Sequence, residues 1–424
     1  MSVLKNRNFA LLLSGQLIST AGNNLFAIAL PWYIYTLTQS KADLALAGIA
    51  QTLPALLGLA AGVFVDRWRK TTTMLTSDLV RAGLGALLVA AVMARQPIWT
   101  VLIIVLVLQA VGTFYSPAAG ALMPTLVEPS DITSASGMQQ SGNAAAQLFG
   151  TVAGGSLLAA LGPALLFALD GVSYLASVVS VLLIRRRGPE PTQSLGRCQR
   201  AVRSNRAFFE DWRDGLNVFT QSRFLLLMMV SAVMANFAFA PLDIALTAWV
   251  KGPMQEDAFH LGLLNAGFFV GMIGGSLSLN RVSRTLSLRG ILFIGMCGSG
   301  LCTMGLGLRP NFWWDTALTC AAGLCIGILN GSVNAALLRA IPAAFRGRAL
   351  STLSALVMLA MPLGMAIFGA LMVHLPLAVI FVLIGSLSVL SGLVFILPIR
   401  EDLSALARFE AAHVSPSADE VLVD

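Results

Sequence analysis

The chain has 424 residues, of which 57% are hydrophobic and only 11% charged, with a net charge of +7. Soluble domains carry about 25% charged residues, so a water-soluble fold is excluded. Four stretches (Phe9–Ser40, Pro97–Val127, Ile132–Leu169 and Ala349–Ile399) contain no Asp, Glu, Lys or Arg at all, and such continuous runs exclude the alternating strands of a membrane barrel.

A helix crosses the hydrocarbon core with about 20 apolar residues. Its backbone groups must be satisfied within the segment, so these runs are helices. Lys5 and Arg7 precede a charge-free run too long for a signal-peptide core, so the first helix is expected to stay in the membrane. In chain order the predicted spans are 9–35, 44–65, 73–94, 98–119, 134–160, 164–184, 223–249, 260–280, 288–308, 313–338, 349–373 and 376–397. Proline cannot continue a helix ladder, which places breaks at Gly162-Pro163 and at His374-Leu375-Pro376. The longest polar stretch follows the sixth span. It divides the chain into a six-helix half at 1–184, a cytoplasmic linker at 185–222, a second six-helix half at 223–399 and a cytoplasmic tail at 400–424. Pro189, Pro191 and Gly196 mark the linker, with a surface helix expected near Ala207–Gln221.

Basic residues orient the chain, because cytoplasmic segments carry the excess of Lys and Arg. With both termini inside, 22 of the 27 basic residues fall on inner segments, and only Lys41, Arg95, Lys251 and Arg309 on outer loops. The positive charge therefore answers to anionic lipid headgroups of the cytoplasmic membrane. Spread over many short loops, it forms no nucleic-acid surface. Cys297, Cys302, Cys320 and Cys325 sit within apolar helices without a CxxC spacing and read as small hydrophobes, giving neither a disulfide framework nor a metal site. The three histidines, His260, His374 and His413, are scattered, so no catalytic constellation is predicted, and no Walker motif or cofactor site is present.

The loop after the second span reads Gly62-Val63-Phe64-Val65-Asp66-Arg67-Trp68-Arg69-Lys70. It resembles the G-x-x-x-D-R-x-G-R-K signature of the major facilitator superfamily, with Arg69 where glycine is usual. Ser276 to Arg284 echoes it between spans eight and nine, with Asn280-Arg281 in the place of Asp66-Arg67. In span five, Gly150-Thr151-Val152-Ala153-Gly154-Gly155 is similar to the G-P-x-x-G-G core of exporting members, with Thr151 replacing proline; ordinary small-residue packing explains the same glycines. Gly15-Gln16, Asp78-Leu79, Ser116-Pro117-Ala118, Ala168-Leu169-Asp170, Gly347-Arg348 and Met361-Pro362-Leu363-Gly364 resemble the macrolide-efflux branch, a pattern shared with siderophore exporters and lysophospholipid flippases. The resemblance implies an all-α integral membrane fold of twelve helices in two pseudo-symmetric halves. It also implies a conformational gate at Gly62, Asp66, Arg67, Arg69 and Lys70.

Ionisable residues at bilayer depth cost about 2.5–3.5 kcal/mol on insertion scales, so each needs a reason. Asp78 and Arg81, three apart in span three, can form a structural ion pair. Asp170 in span six and Asp243 in span seven are candidates to carry protons; the resemblance favours Asp243, since the seventh helix lines the cavity in the superfamily and the sixth is peripheral. Gln139, Asn143 and Gln147 recur every four residues in span five, as Asn330 and Asn334 do in span ten. Asn23, Asn24 and Asn236 lie near the midpoints of spans one and seven. The resemblance adds Gln109 and Tyr115 to this cavity lining; interhelical hydrogen bonding is the competing role for all of them. The expected function is secondary active export of a bulky amphiphilic molecule such as a macrolide, in exchange for protons, by a monomer. A gradient-driven flippase or facilitator for lysophospholipid or siderophore is the rival, and a membrane-embedded enzyme a remote one.

Overall fold

The computed structural model describes residues 6–58, 61, 65, 68–128, 131–184, 213, 216–341 and 346–396. Gly62, Asp66 and Arg67 of the expected gate, most of the expected linker and the whole tail lie outside the described residues. The elements are α1 (Arg7–Thr38), α2 (Lys41–Thr52), α3 (Lys70–Met93), α4 (Ile98–Gly112), α5 (Tyr115–Leu122), α6 (Ile132–Leu182), α7 (Arg223–Phe239), α8 (Leu242–Lys251), α9 (Ala258–Thr285), α10 (Leu288–Leu306), α11 (Phe312–Ala340), α12 (Arg346–His374) and α13 (Leu377–Leu393). No strand occurs among the described residues. Nine helices among them are long and apolar enough to cross a membrane, and one of the nine, Ser134–Leu182, holds two expected spans.

Side chains close the helix ends where backbone donors would otherwise be orphaned. Asn6 accepts from the amides of Asn8 and Phe9, Ser40 from Asp43, Asp257 from His260, Ser287 from Gly290 and Asn311 from Trp314. Three expected spans are interrupted. The second runs from α2 into a tight turn at Leu53–Leu57, with Pro54 at its start; the fourth breaks between α4 and α5; the seventh breaks at Ala240-Pro241 between α7 and α8.

α6 contains a reversal. Its first arm runs parallel to α1, with Gly142 against Leu17, Gly150 against Ala21 and Gly154 against Ile28. The second arm returns along the same helix, with Phe167 against Phe26, Ser173 against Gly22 and Ser180 against Gly15. The chain turns at Gly162, whose φ of 76° suits a residue without a Cβ. Pro163 then opens the second arm.

Glycine also governs packing in the C-terminal half. Each glycine of Gly271, Gly275, Gly323 and Gly327 lies directly against backbone of the partner helix, α9 on α11 and the reverse. Apolar lipid supplies no drive for helix association, so close backbone approach supplies it instead. The two halves meet along two crossings. α6 lies on α9 at Gly155 and Gly262, and α2 lies on α12 at Ala45 with Gly369 and at Gly48 with Met365.

The buried apolar residues show where these halves are joined. At the end of the bundle holding the α1 C terminus, one cluster runs through both halves and includes Trp32, Tyr35, Leu44, Trp249, Leu261, Met365 and Phe381. At the opposite, arginine-rich end there are two clusters instead. Phe9, Leu12, Met74, Leu122 and Val181 form one; Phe219, Phe224, Met296, Leu337 and Phe395 form the other. The halves are therefore fused at one end and parted at the other.

Candidate functional site

Two cavities flank α1 and both reach Ala27; the first is lined by residues of the N-terminal half alone, the second by residues of both halves. The first, about 560 Å³, is polar, with Gln16, Ser19, Thr20, Asn23, Gln51, Arg81, Gln109, Tyr115, Gln139 and Asn143 on its wall. The second, about 490 Å³, is mainly apolar, lined by Phe239, Leu242, Leu246, Phe268, Phe269, Met272, Met296 and Ile326. Asn24, Gln147, Asn236, Asp243 and Asn330 punctuate that surface.

The polar residues singled out in the sequence are thus divided between two walls. Asn23 and Asn24 point to different cavities because neighbours on a helix diverge by about 100°. Likewise Gln139 and Asn143 face the polar cavity while Gln147, two turns on, faces the apolar one. The side chain of Asn334 lies outside the described residues. Several of these groups bond across or along helices as well as lining space. The amide of Gln139 donates to Gln16 Oε1 at 2.8 Å, joining α6 to α1, and Asn24 and Asn236 donate to carbonyls one turn back. Asp243 lies on the second cavity's wall, its side chain open to that cavity. Arg69 is exposed at the start of α3, and Lys70 Nζ donates to the Val65 carbonyl at 2.6 Å.

Arg81 and Asp78 approach to 3.8 Å, but the guanidinium makes its short contacts elsewhere. Nη2 donates to Asn23 Oδ1 at 2.8 Å and to the Tyr174 hydroxyl at 2.7 Å, and the guanidinium carbon sits 3.9 Å from the centre of the Tyr174 ring. The Tyr174 hydroxyl lies 2.9 Å from Asp170 Oδ2 and 2.6 Å from Asn23 Oδ1. Tyr115 and Ser177 share a hydrogen bond of 3.1 Å beside this group. Asp78, Arg81, Asp170 and Tyr174 are all buried. Asp170, on a helix expected to be peripheral, is enclosed against α1.

Sequence reasoning missed Tyr174, and it noted Gln16 only within the family resemblance; their partners carry no signal until α6 is folded along α1. It also missed Asp315, whose signal was present: an acid inside an apolar span. Asp315 is buried and accepts the indole N–H of Trp249 at 2.9 Å, tying α11 to α8.

At the fused end two lysines reach across the halves. Lys251 Nζ of α8 sits 4.7 Å from the centre of the Trp32 ring of α1, and Lys41 Nζ of α2 donates to the Leu375 carbonyl at 3.3 Å. A third cavity, about 490 Å³, opens at this end beside His260, Phe312 and Trp313. There burial pushes the Asp257 carboxyl up, but hydrogen bonds from the His260 ring and amide outweigh it and hold it below the ordinary carboxylate range.

Known proteins share this architecture. A nucleoside transporter superposes with a TM-score of 0.73 at 11% identity, covering 92% of this chain and 99% of its own. A bacterial homologue of the iron transporter ferroportin, in an inward-facing state, superposes at 0.67 with 17% identity, covering 92% and 98%. At such identities the likeness speaks for the fold alone. In sequence, macrolide efflux protein A of Streptococcus pyogenes is 25% identical over 359 residues, 83% of this chain and 86% of that protein. Multidrug efflux pump Tap of Mycolicibacterium fortuitum is 23% identical over 382 residues, 88% and 90% respectively. The family model described as transmembrane secretion effector matches residues 1–422. With its helical bundle in two halves around a divided cavity, the chain belongs to that family of multi-pass membrane transporters within the major facilitator superfamily.

Proposed function

We propose that this transporter is a secondary active exporter of bulky amphiphilic molecules, exchanging them for protons by alternating access. The observation that carries this reading is the pairing of cavities: an amide- and hydroxyl-rich wall faces one side of α1, and a Phe-, Leu- and Met-rich wall faces the other. A molecule with one polar and one greasy face satisfies both at once. Met and Phe surfaces also adapt to varied shapes, as a promiscuous exporter requires. Asp243, exposed within the apolar cavity, attracts a basic amine on such a molecule. The names of the efflux relatives support the direction.

In this reading the arginine-rich end is cytoplasmic and the cleft faces the cytoplasm, ready to load. The halves at 1–184 and 223–399 rock about the two crossings, and the loop carrying Asp66, Arg67, Arg69 and Lys70 holds the cytoplasmic side in its closed state. The test uses erythromycin, a bulky amphiphile with a basic amine, and inside-out vesicles. A proton gradient should drive its uptake at least tenfold above vesicles without the protein, and a protonophore should abolish that uptake. Uptake that survives the protonophore would point to a facilitator or flippase.

Topology is checked separately, in a chain with its five native cysteines replaced. A cysteine at exposed Gln96 should react with an impermeant maleimide in intact cells, and one at exposed Thr285 only after permeabilisation. The reverse pattern would invert the protein.

A further inference from the structure

Three ionisable groups meet inside the N-terminal half with an odd charge. Arg81 contributes one positive charge, and Asp78 and Asp170 two negative ones. All three are at least nine-tenths buried, at 5%, 0% and 1% exposure. A buried charge needs a partner, because desolvation otherwise costs several kcal/mol per ion. One guanidinium neutralises one carboxylate, and a single proton neutralises the other.

The geometry says which carboxylate takes it. Both oxygens of Asp78 are buried without a hydrogen-bond partner, as Asp170 Oδ1 is, but Asp78 has the Arg81 charge directly beside it, at 3.8 Å. Asp170 meets Arg81 only through Tyr174: its Oδ2 lies 2.9 Å from the hydroxyl, and its Oδ1 is buried without a hydrogen-bond partner, against the backbone of Gly22. The titratable groups facing Asp170 are few. Arg81 and Asp78 face it from α3, Tyr174 lies one turn on along its own helix, and Tyr115 of α5 lies beyond Ser177; α1 offers the amide of Asn23.

The hydroxyl of Tyr174 has one proton and two acceptors within 2.9 Å, Asp170 Oδ2 and Asn23 Oδ1. It also accepts from Arg81 Nη2. With Asp170 ionised, Tyr174 donates to Asp170. With Asp170 protonated, the carboxyl donates to the Tyr174 oxygen, whose second lone pair is free. Tyr174 then turns its own proton to Asn23 Oδ1. Both arrangements satisfy the hydroxyl and use the same heavy-atom positions. Asn23 and Arg81 are on the wall of the polar cavity.

We propose that Asp170 is the proton-binding site of this transporter, and that Tyr174 reports its occupancy to the substrate cavity by switching its hydrogen bond between Asp170 and Asn23. The loaded cluster is neutral and the empty one carries a net negative charge beside the cavity, felt through Arg81 and Asn23. The site deepens the proton-exchange reading above and rests on it for its use in transport, but its existence can be tested without substrate.

The experiment records pH-induced infrared difference spectra of the full chain in lipid vesicles, following the carbonyl stretch of a protonated carboxylic acid. The wild-type band should titrate. It should be lost in Asp170→Asn and retained in Asp243→Asn. Tyr174→Phe, which removes one hydroxyl and keeps the ring, should shift the titration midpoint by about one pH unit, a tenfold change in proton affinity. It also covers the case in which Asp170→Asn fails to fold. A band that persists in Asp170→Asn, disappears in Asp243→Asn, or keeps its midpoint in Tyr174→Phe overturns the site. A titrating Asp170 band in a protein whose erythromycin transport ignores the proton gradient leaves the site standing and overturns proton exchange instead.

Discussion

Gly155→Leu is expected to cut export by at least tenfold, while Gly274→Leu leaves it at the wild-type rate. Gly155 lies where α6 crosses α9, one of the two main crossings between the halves. A Cβ there would come within 2.8 Å of the Ala258 carbonyl oxygen, and a Cβ at Gly262 within 2.6 Å of Gly155 Cα. The obstacle is backbone on both sides, so no side-chain rotation relieves it. Overpacking of this kind costs about 1–3 kcal/mol in well-packed cores, and about 1.4 kcal/mol is already a factor of ten in an equilibrium. The cost falls on the contact between halves and so on the balance of conformations. Gly274 lies on α9, the helix that Gly155 meets, with nothing within 4 Å of its would-be Cβ, which makes it the control for a leucine placed at a glycine without a neighbour. Initial export rates normalised to membrane-inserted protein decide the matter. Wild-type export by Gly155→Leu would show that the crossing does not hold the halves.

The second large effect is expected at the fused end. Lys251 lies over Trp32, and a cation on an indole is worth about 0.5–2 kcal/mol depending on desolvation. With the fused end outermost, as proposed, that contact joins α8 to α1 across the shut outer end. Lys251→Ala should therefore raise the outward-open population roughly two- to thirtyfold, since each 1.4 kcal/mol is tenfold. A cysteine at Gln147, on the wall of the apolar cavity, reports it. An impermeant reagent added outside should label that cysteine correspondingly faster in Lys251→Ala. Trp32→Ala should go further. It removes a buried ring from the shared cluster, a loss of about 3–5 kcal/mol in a core, and folded yield should drop alongside the gain in labelling. Unchanged labelling in Lys251→Ala would assign the closure to apolar packing alone.

The sequence carried the fold class because bilayer physics writes it in long strings. Runs without charge, and proline beside glycine or histidine at 162–163 and 374–376, needed no knowledge of tertiary contacts. Boundaries inside spans were less visible. Pro241 sits within an apolar run that hydropathy treats as one helix, yet α7 ends at Phe239 and α8 starts at Leu242. The polar residues could be found but not assigned, since spacing gives the face of a helix and not what lies opposite. Asp78 and Arg81 read as a local pair, whereas Arg81 donates its short hydrogen bonds to Asn23, 58 positions away, and to Tyr174, 93 away. Such partners exist only once α1 lies between the arms of α6.

The reversal at Gly162 also limits what can be done to the chain. Most joins between crossings have solvent-facing residues to spare, and a tag, protease site or fused domain can be placed there. Between the arms of α6 the helix resumes after a single residue. An insertion there would meet the interface with no slack to absorb it, and would pull both arms off α1 together. Protein engineering at this end of the bundle should therefore use the join at Arg95-Gln96 and leave Gly162-Pro163 unbroken.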